Sequence, residues 1–261
     1  MLTLEEARKI MTPEQLRHAA DRSMCLKSFK WICEKHRWIK DKSGEIRPLK
    51  KLKLAQRKTL AVLEFLRASK MLCRLIIAKS RKQGESTIIA ADCYEQVKKF
   101  QIDALILSHD RGSVAKIFKI YDRFYERDDL PKPNRYKGKV NLRELRFEGH
   151  DGHVTVETAN NVYAGTGETP QYLHLSEGSK WDRGAETKTA LLQAIGDNIG
   201  TTLIEESTFN GEEDCFLPTW RASYDNSKLT FTENPAAEYG LDVHFEVTDK
   251  AGWNGYVPLF I

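Results

Sequence analysis

Leu75-Ile76-Ile77-Ala78-Lys79-Ser80-Arg81-Lys82-Gln83-Gly84-Glu85-Ser86-Thr87 passes from an apolar run, through a polar turn with one glycine, into a helix-like stretch. A buried strand that turns and opens a helix aims backbone N–H groups and a helix N-terminus at one point, where an anion is stabilised. The standard phosphate loop is G-x-x-x-x-G-K-[ST]. Gly84 and Ser86 take the places of its second glycine and its hydroxyl, but Lys79 stands where the first glycine belongs and Glu85 where the lysine belongs. On spacing alone, a basic surface turn describes the stretch at least as well.

The flanking pattern supports the strand–turn–helix reading. Before it, Thr12-Pro13-Glu14 offers a capping residue and then proline at the first helical position, and apolar residues recur at helical spacing through Trp38. Asp41-Lys42-Ser43-Gly44 reads as a turn. After it, Ser86–Phe100 is helical, Ala104–Ser108 is an apolar run, and Ser113–Glu126 is helical again. A proline-rich break at Leu130–Asn134 precedes a hairpin-like pair, Glu144–Phe147 and Val154–Thr158. The run Gln171–Ser176, a helix at about 185–195 and the run Thr201–Glu205 complete the alternation. Short apolar runs alternating with helices predict an α/β fold, a parallel sheet flanked by helices. Beyond Cys215 the pattern reads as irregular, with strand-like Leu229–Thr232 and Val243–Val247.

Composition narrows the classes. A chain of 261 residues, 41% hydrophobic and 30% charged, is of ordinary globular type. No run is long and apolar enough to span a bilayer, and MLTLEEARKI lacks the layout of a signal peptide. The five cysteines form no C-x-x-C pair, as expected of free thiols in a reducing compartment. Cys25, Cys33 and His36 match no zinc-finger spacing and lack a fourth partner, so they read as ordinary helix residues. The net charge of +4 hides a split. Residues 1–140 carry 33 Lys and Arg against 17 Asp and Glu, and residues 141–261 carry 8 against 20. That split suits a polyanion bound by the first half or head-to-tail contact between subunits, as against two solvated faces.

Taken together, the motifs resemble the ATPase half of the large terminase subunit of tailed bacteriophages, the DNA-packaging motor. Lys79, Arg81, Gly84, Ser86 and Thr87 match that family's variant Walker A, K-[SA]-R-x-x-G-x-[ST]-[ST], in which the lysine moves to the start of the loop. The stem of Lys79 is long enough to bring its ammonium to the β/γ-phosphates from that side. His174-Leu-Ser176-Glu177, with Trp181 four residues on, is similar to the family's H-L-S-E-x-A-x-W version of the Walker B strand, departing from it at Gly178-Ser179. Gln56 lies at the place of the adenine-reading glutamine, and Ser108-His109-Asp110-Arg111 weakly matches the second strand end. Glu206-Ser207-Thr208-Phe209-Asn210-Gly211 is similar to the coupling motif E-S-T-A-N-G, with Phe209 for alanine.

The resemblance implies a RecA-like P-loop core over residues 46–261, with a helical arm or lid over residues 1–45. It implies ATP and Mg²⁺ as ligands, bound by Gln56, Lys79, Ser80, Arg81, Lys82, Gln83, Gly84, Glu85, Ser86 and Thr87. The metal would be held by Ser86, and by Ser176 through water. Glu177 would be the catalytic base, with Ser207, Thr208 and Asn210 as coupling residues. Glu85 is expected to turn outward, away from the phosphates. The implied partners are double-stranded DNA, a portal protein, a small terminase subunit and further copies in a ring. The implied location is the host cytoplasm and, transiently, the procapsid portal vertex. Gly165-Thr166-Gly167-Glu168-Thr169 lacks the arginine of the family's G-R-G-x-T, which leaves the trans-acting arginine finger open among Arg111, Arg135, Arg143, Arg146 and Arg183. The family's nuclease domain is not expected in this chain, since the acidic residues from Asp225 to Asp249 are scattered. Another nucleic-acid ATPase such as a helicase, and a non-catalytic DNA-binding protein with a degenerate P-loop, stay open as alternatives.

Overall fold

The computed structural model describes residues 12–41, 43–138, 143–160, 169–196, 198–211 and 214–261. In chain order the elements begin with α1 (Pro13–Lys27), α2 (Phe29–His36), β1 (Trp38–Lys40), β2 (Ile46–Pro48), α3 (Leu54–Ala68) and β3 (Cys73–Ala78). They continue with α4 (Glu85–Phe100), β4 (Ala104–Ser108), α5 (Arg111–Arg127), β5 (Glu144–Arg146), β6 (His153–Thr158) and β7 (Tyr172–Ser176). A 3₁₀ turn (Gly178–Lys180), α6 (Gly184–Ile195), β8 (Thr202–Ser207), α7 (Phe216–Tyr224), β9 (Ser227–Glu233), β10 (Leu241–Val247) and β11 (Val257–Phe260) complete them.

Seven strands form one sheet in the order β11-β3-β8-β7-β4-β6-β5. Every neighbouring pair is parallel except β5–β6, which is antiparallel. Parallel strands need cover on both faces and so read as continuous apolar runs. Side chains alternate between the faces and divide the core in two. Leu75, Ile77, Ala104, Ile106, Tyr172 and Ile204 pack with α3, α4 and α5. Ile76, Ala78, Leu105, Leu107, Leu173, Leu175 and Leu203 pack with Leu191 and Ile195 of α6 and Phe216 and Trp220 of α7. The doubly covered parallel sheet expected from the alternation is the observed architecture.

Local chemistry sets several boundaries. Thr12 accepts from the N–H of Gln15 while the Gln15 side chain accepts from the N–H of Thr12, a reciprocal cap at the start of α1. Asp110 caps α5 by accepting from Ser113 N at 2.8 Å. The N-terminal helical reading is broken at Ser28, whose hydroxyl accepts from Trp31 N and starts a second helix. Trp38 belongs to a short hairpin with β2, not to a helix. The segment beyond Cys215, read as irregular, is ordered into α7, the β9–β10 hairpin and β11. Pro218 hides α7 from a sequence pattern, yet in the first turn of a helix its missing N–H has no partner to lose. Edge strand β11 exists because it pairs with β3, a long-range contact without local signal.

Buried charge ties the N-terminal segment to α4 and to the end of α5. Arg37 is fully buried, with its guanidinium against Glu95, 3.3 Å from Asp128 and 4.9 Å from the ring centre of Tyr94. Lys98 completes the group at 2.9 Å from Glu95 and 3.0 Å from Asp128. Removing one member of such a cluster strands another charge and costs about 3–5 kcal/mol. Cys33 is fully buried and its thiol is pushed up by desolvation. His36 is held between Asp21 (3.0 Å) and Asp129 (2.6 Å). Among the described residues no helix is long and apolar enough to cross a membrane.

Candidate nucleotide-binding site

The parallel register brings the ends of four strands to one edge. Ala78 of β3 stands opposite Ser207 of β8, Glu206 of β8 opposite Ser176 of β7, and Ser176 opposite Ser108 of β4. Lys79, Glu177, Thr208 and His109 therefore leave the sheet side by side. The turn after β3 is pinned at its start, with Lys79 N donating to Ser207 O (3.0 Å) and Ser80 N to Ile261 O (2.8 Å). It then bends through left-handed backbone at Lys82 (φ 68°) and Gly84 (φ 88°). A Cβ on Gly84 would lie 2.8 Å from Gln56 Nε2, so both conformation and space call for glycine. Gln56 is buried and braces the turn, its Nε2 donating to Gly84 O (3.1 Å) and its Oε1 accepting from Lys53 N (3.0 Å). Ser80, Arg81 and Lys82 are exposed on the outside of the turn, and Gln83 donates to Ser80 Oγ at 2.9 Å.

At the centre lies a compact charge cluster. Lys79 Nζ is 3.2 Å from Glu177 Oε1 and also pairs with Glu206 Oε2. Lys180 Nζ approaches Glu177 Oε2 at 2.7 Å. The other carboxylate oxygen of Glu206 accepts from Ser86 Oγ (2.9 Å) and Ser176 Oγ (2.8 Å), with His174 Nε2 at 3.5 Å. Glu206 is fully buried; desolvation would raise its pKa, but the Lys79 ammonium and then His174 pull it down to about 2. Desolvation works against the Lys79 ammonium, yet Glu206 and Glu177 together hold its pKa above the ordinary lysine value. Lys79, Ser86, Ser176 and Glu177 are thus brought together, and Thr87 lies half-buried in the first turn of α4.

Glu206 is the residue whose part at this centre sequence reading missed. Its signal was present: two adjacent acids, Glu205 and Glu206, inside a strand buried on both faces. They point to opposite sides. Glu205 meets Lys188 Nζ of α6 at 2.6 Å, and Lys188 also donates to Thr219 Oγ1 of α7 at 2.6 Å. Burial raises the Glu205 carboxyl in spite of that lysine.

The tip of β8 is bonded to the turn that follows Glu177. Ser207 Oγ accepts from Ser179 N (3.1 Å) and lies 2.7 Å from Ser179 Oγ, and Ser179 Oγ donates to Thr208 O (2.7 Å). Asn210 Nδ2 reaches Ser179 O at 3.5 Å. The three coupling-motif residues therefore grip the segment that carries Glu177. Of the arginines, Arg135 pairs with Asp122 (2.9 Å) and Arg146 with Glu144 (2.7 Å), both towards the far edge of the sheet. Arg183 pairs with Glu186 on the surface, Arg143 is half-buried and Arg111 is exposed at the start of α5, just past β4. Gly165 to Glu168 lie outside the described residues.

The outward orientation expected of Glu85 is not what is found. Its side chain turns inward, 1% exposed, and accepts from Thr59 Oγ1 at 2.7 Å. The first turn of α4 directs position 85 at α3, away from the phosphate side. Desolvation pushes its carboxyl up from 4.5 to about 7, against the Thr59 hydrogen bond. Near pH 4 both folded and unfolded chains hold the proton and this group is neutral in effect. As pH rises through 4.5 towards 7 the unfolded chain ionises first, so stability falls, then levels above about 7. Glu85→Gln stays neutral and is expected to exceed the parent by roughly 3 kcal/mol at pH 8, with no gain near pH 4. Urea melts at the two pH values test this, and equal stability at pH 8 would refute it.

The hydroxyl oxygens of Ser86 and Ser176, which give their protons to Glu206, are ligands that fit a hard cation such as Mg²⁺ beside a triphosphate. No protein-family profile matches the chain, and no curated protein matches it. Solved structures do. The chain is similar to the large terminase of bacteriophage HK97, with a TM-score of 0.56 and 14% identity over 74% of this chain and 40% of that one. It also aligns with the ATPase domain of the Thermus phage P74-26 large terminase (TM-score 0.49, 11% identity, 78% of this chain and 84% of that one). A third alignment is with the Phi-28 gp11 DNA packaging motor (TM-score 0.43, 10% identity, 75% and 58%). The chain spans about two-fifths of the HK97 protein. At such identity the likeness is one of fold: a RecA-like, mostly parallel seven-stranded sheet flanked by helices.

Proposed function

We propose that this chain is the ATP-hydrolysing motor domain of a phage large terminase, driving double-stranded DNA into a procapsid. One observation carries the proposal: Lys79, Ser86, Ser176 and Glu177 meet at the C-terminal edge of a RecA-like sheet, where ligands of open α/β sheets bind. The turn from Ser80 to Gly84 and the N-terminus of α4 cradle the phosphates, with Arg81 and Lys82 available from the solvent side and Thr87 beside Ser86. A triphosphate competes with Glu177 and Glu206 for Lys79. Lys79 moving to the phosphates frees Glu177 to orient and deprotonate a water. Mg²⁺, when bound, would neutralise charge on the phosphates; Ser86 would hold it, and Ser176 would do so through water. Ser207, Thr208 and Asn210 pass the state of that edge to the rest of the chain through Ser179. Residues 1–45 serve as the arm and 46–261 as the P-loop core.

Further copies in a ring, a portal protein, a small terminase subunit and DNA are the partners this reading requires, in the host cytoplasm and at the portal vertex. Arg111 and Arg183 are the arginines best placed to reach a neighbour's site, because both lie on the edge that carries this one. The direct test is fluorescent-ATP binding and Mg²⁺-dependent ATP hydrolysis by the purified chain. Absence of both would leave only a DNA-binding protein with a degenerate loop. For the basic half, DNA affinity is expected to fall with a slope of roughly −0.9 in log K against log salt for each phosphate neutralised. A flat salt titration would remove the basic half from the DNA contact.

A further inference from the structure

We propose that Glu206, on the strand beside the Walker B strand, supplies the carboxylate that β7 lacks, holding the hydroxyls of Ser86 and Ser176 ready for the metal. This rests on the nucleotide reading above. Strand β7 ends Leu175-Ser176, and Glu177 follows, so the last residue of the strand carries a hydroxyl and no acid. Glu206 stands opposite Ser176 in the parallel register, on the face covered by α4. Neighbouring strands lie about 4.8 Å apart, and the Glu206 side chain closes that gap, putting Oε1 2.8 Å from Ser176 Oγ and 2.9 Å from Ser86 Oγ.

The direction of these bonds carries the inference. A serine hydroxyl has one proton and two lone pairs. Glu206 Oε1 can only accept, so Ser86 and Ser176 each give it their one proton. What remains on both oxygens is lone pairs, which is what a hard cation or its water shell requires. A counter-ion for Lys79 alone would need neither hydroxyl. Lys79 contacts the other oxygen, Oε2, so the two duties are divided between the two oxygens of one carboxylate. Glu206 acts through the hydroxyls and is a positioning residue.

The test uses the whole chain and fluorescent ATP, with affinity measured in Mg²⁺ and in EDTA, so no turnover is needed. In the parent, Mg²⁺ is expected to strengthen binding. In Glu206→Gln the affinity in EDTA is expected to hold while the Mg²⁺-dependent gain falls about 10–100-fold, the usual effect of losing a group that orients metal ligands. Adding Ser176→Asp to Glu206→Gln returns the acid to β7 and is expected to restore part of the gain. If Glu206→Gln melts below the assay temperature, Glu206→Asp serves instead. It keeps a charge for Lys79, withdraws the carboxylate by one methylene, and is expected to show the same selective loss. An unchanged Mg²⁺ gain in the folded variant reduces Glu206 to a counter-ion and overturns this proposal alone. A parent that binds no fluorescent ATP in either buffer overturns the nucleotide reading and this proposal with it.

Discussion

Glu177→Gln is expected to lower ATP turnover by about 10²–10⁴-fold, the range for removing a general base, while ATP affinity holds or rises slightly. Phosphoryl transfer leaves a protein chiefly the tasks of positioning water and stabilising charge. Glu177 directly follows β7 in left-handed backbone (φ 58°), a conformation uncommon for a non-glycine residue. Its N–H donates to Glu206 O at 2.7 Å, fixing the turn from below. Its carboxylate lies between Lys79 and Lys180 at 3.2 and 2.7 Å, and on the proposed reading it would orient a water towards the last phosphate. Glutamine keeps the size and the hydrogen-bonding reach but cannot take the proton. Affinity should not suffer, because a negative charge beside the triphosphate is gone. Turnover and affinity measured on one preparation decide it. Hydrolysis within a few-fold of the parent would end the assignment of Glu177 as base.

Lys79→Ala is expected to abolish measurable turnover, and to do more than that. Expecting an intact fold would be natural for a lysine on an exposed loop, but Lys79 is largely buried and is the partner of the fully buried Glu206. Deleting one half of a buried pair typically costs 3–5 kcal/mol, because the other charge is left without a counter-ion. Loss of activity in the single variant could therefore reflect melting. Lys79→Ala combined with Glu206→Gln removes both charges and is expected to recover most of the stability and none of the turnover. Thermal melts and turnover on the two variants separate the effects. Normal turnover in either would sink the displaced-lysine reading of the loop.

The fold was legible because its strands are nearly continuous apolar runs. Leu75–Ala78, Ala104–Ser108 and Gln171–Ser176 each announced a strand to within a residue or two, since a strand covered on both faces has no polar alternation to blur it. The convergence of Lys79, Gly84, Ser86 and Glu177 on one edge of the sheet was legible where local pattern and chemistry coincide. What escaped depends on distance in the chain. Glu206 takes its meaning from Ser176, thirty residues away, and from Ser86, one hundred and twenty residues away. The inward turn of Glu85 follows from the placing of α3, whose Thr59 sits beneath it. Strand β11 is defined only by the strand it pairs with.

Adjacent residues on β8 carry one further consequence. Glu205 and Glu206 face opposite sides of the sheet, and each is clasped by a lysine, Lys188 from α6 on one side and Lys79 on the other. The backbone between them is a single peptide unit, hydrogen-bonded into the sheet on both edges. Strand β8 thus sets the Lys79–Glu206 pair on the α4 face and the Lys188–Glu205 pair, with Thr219, on the α6–α7 face one peptide unit apart, joined through the sheet and not around it.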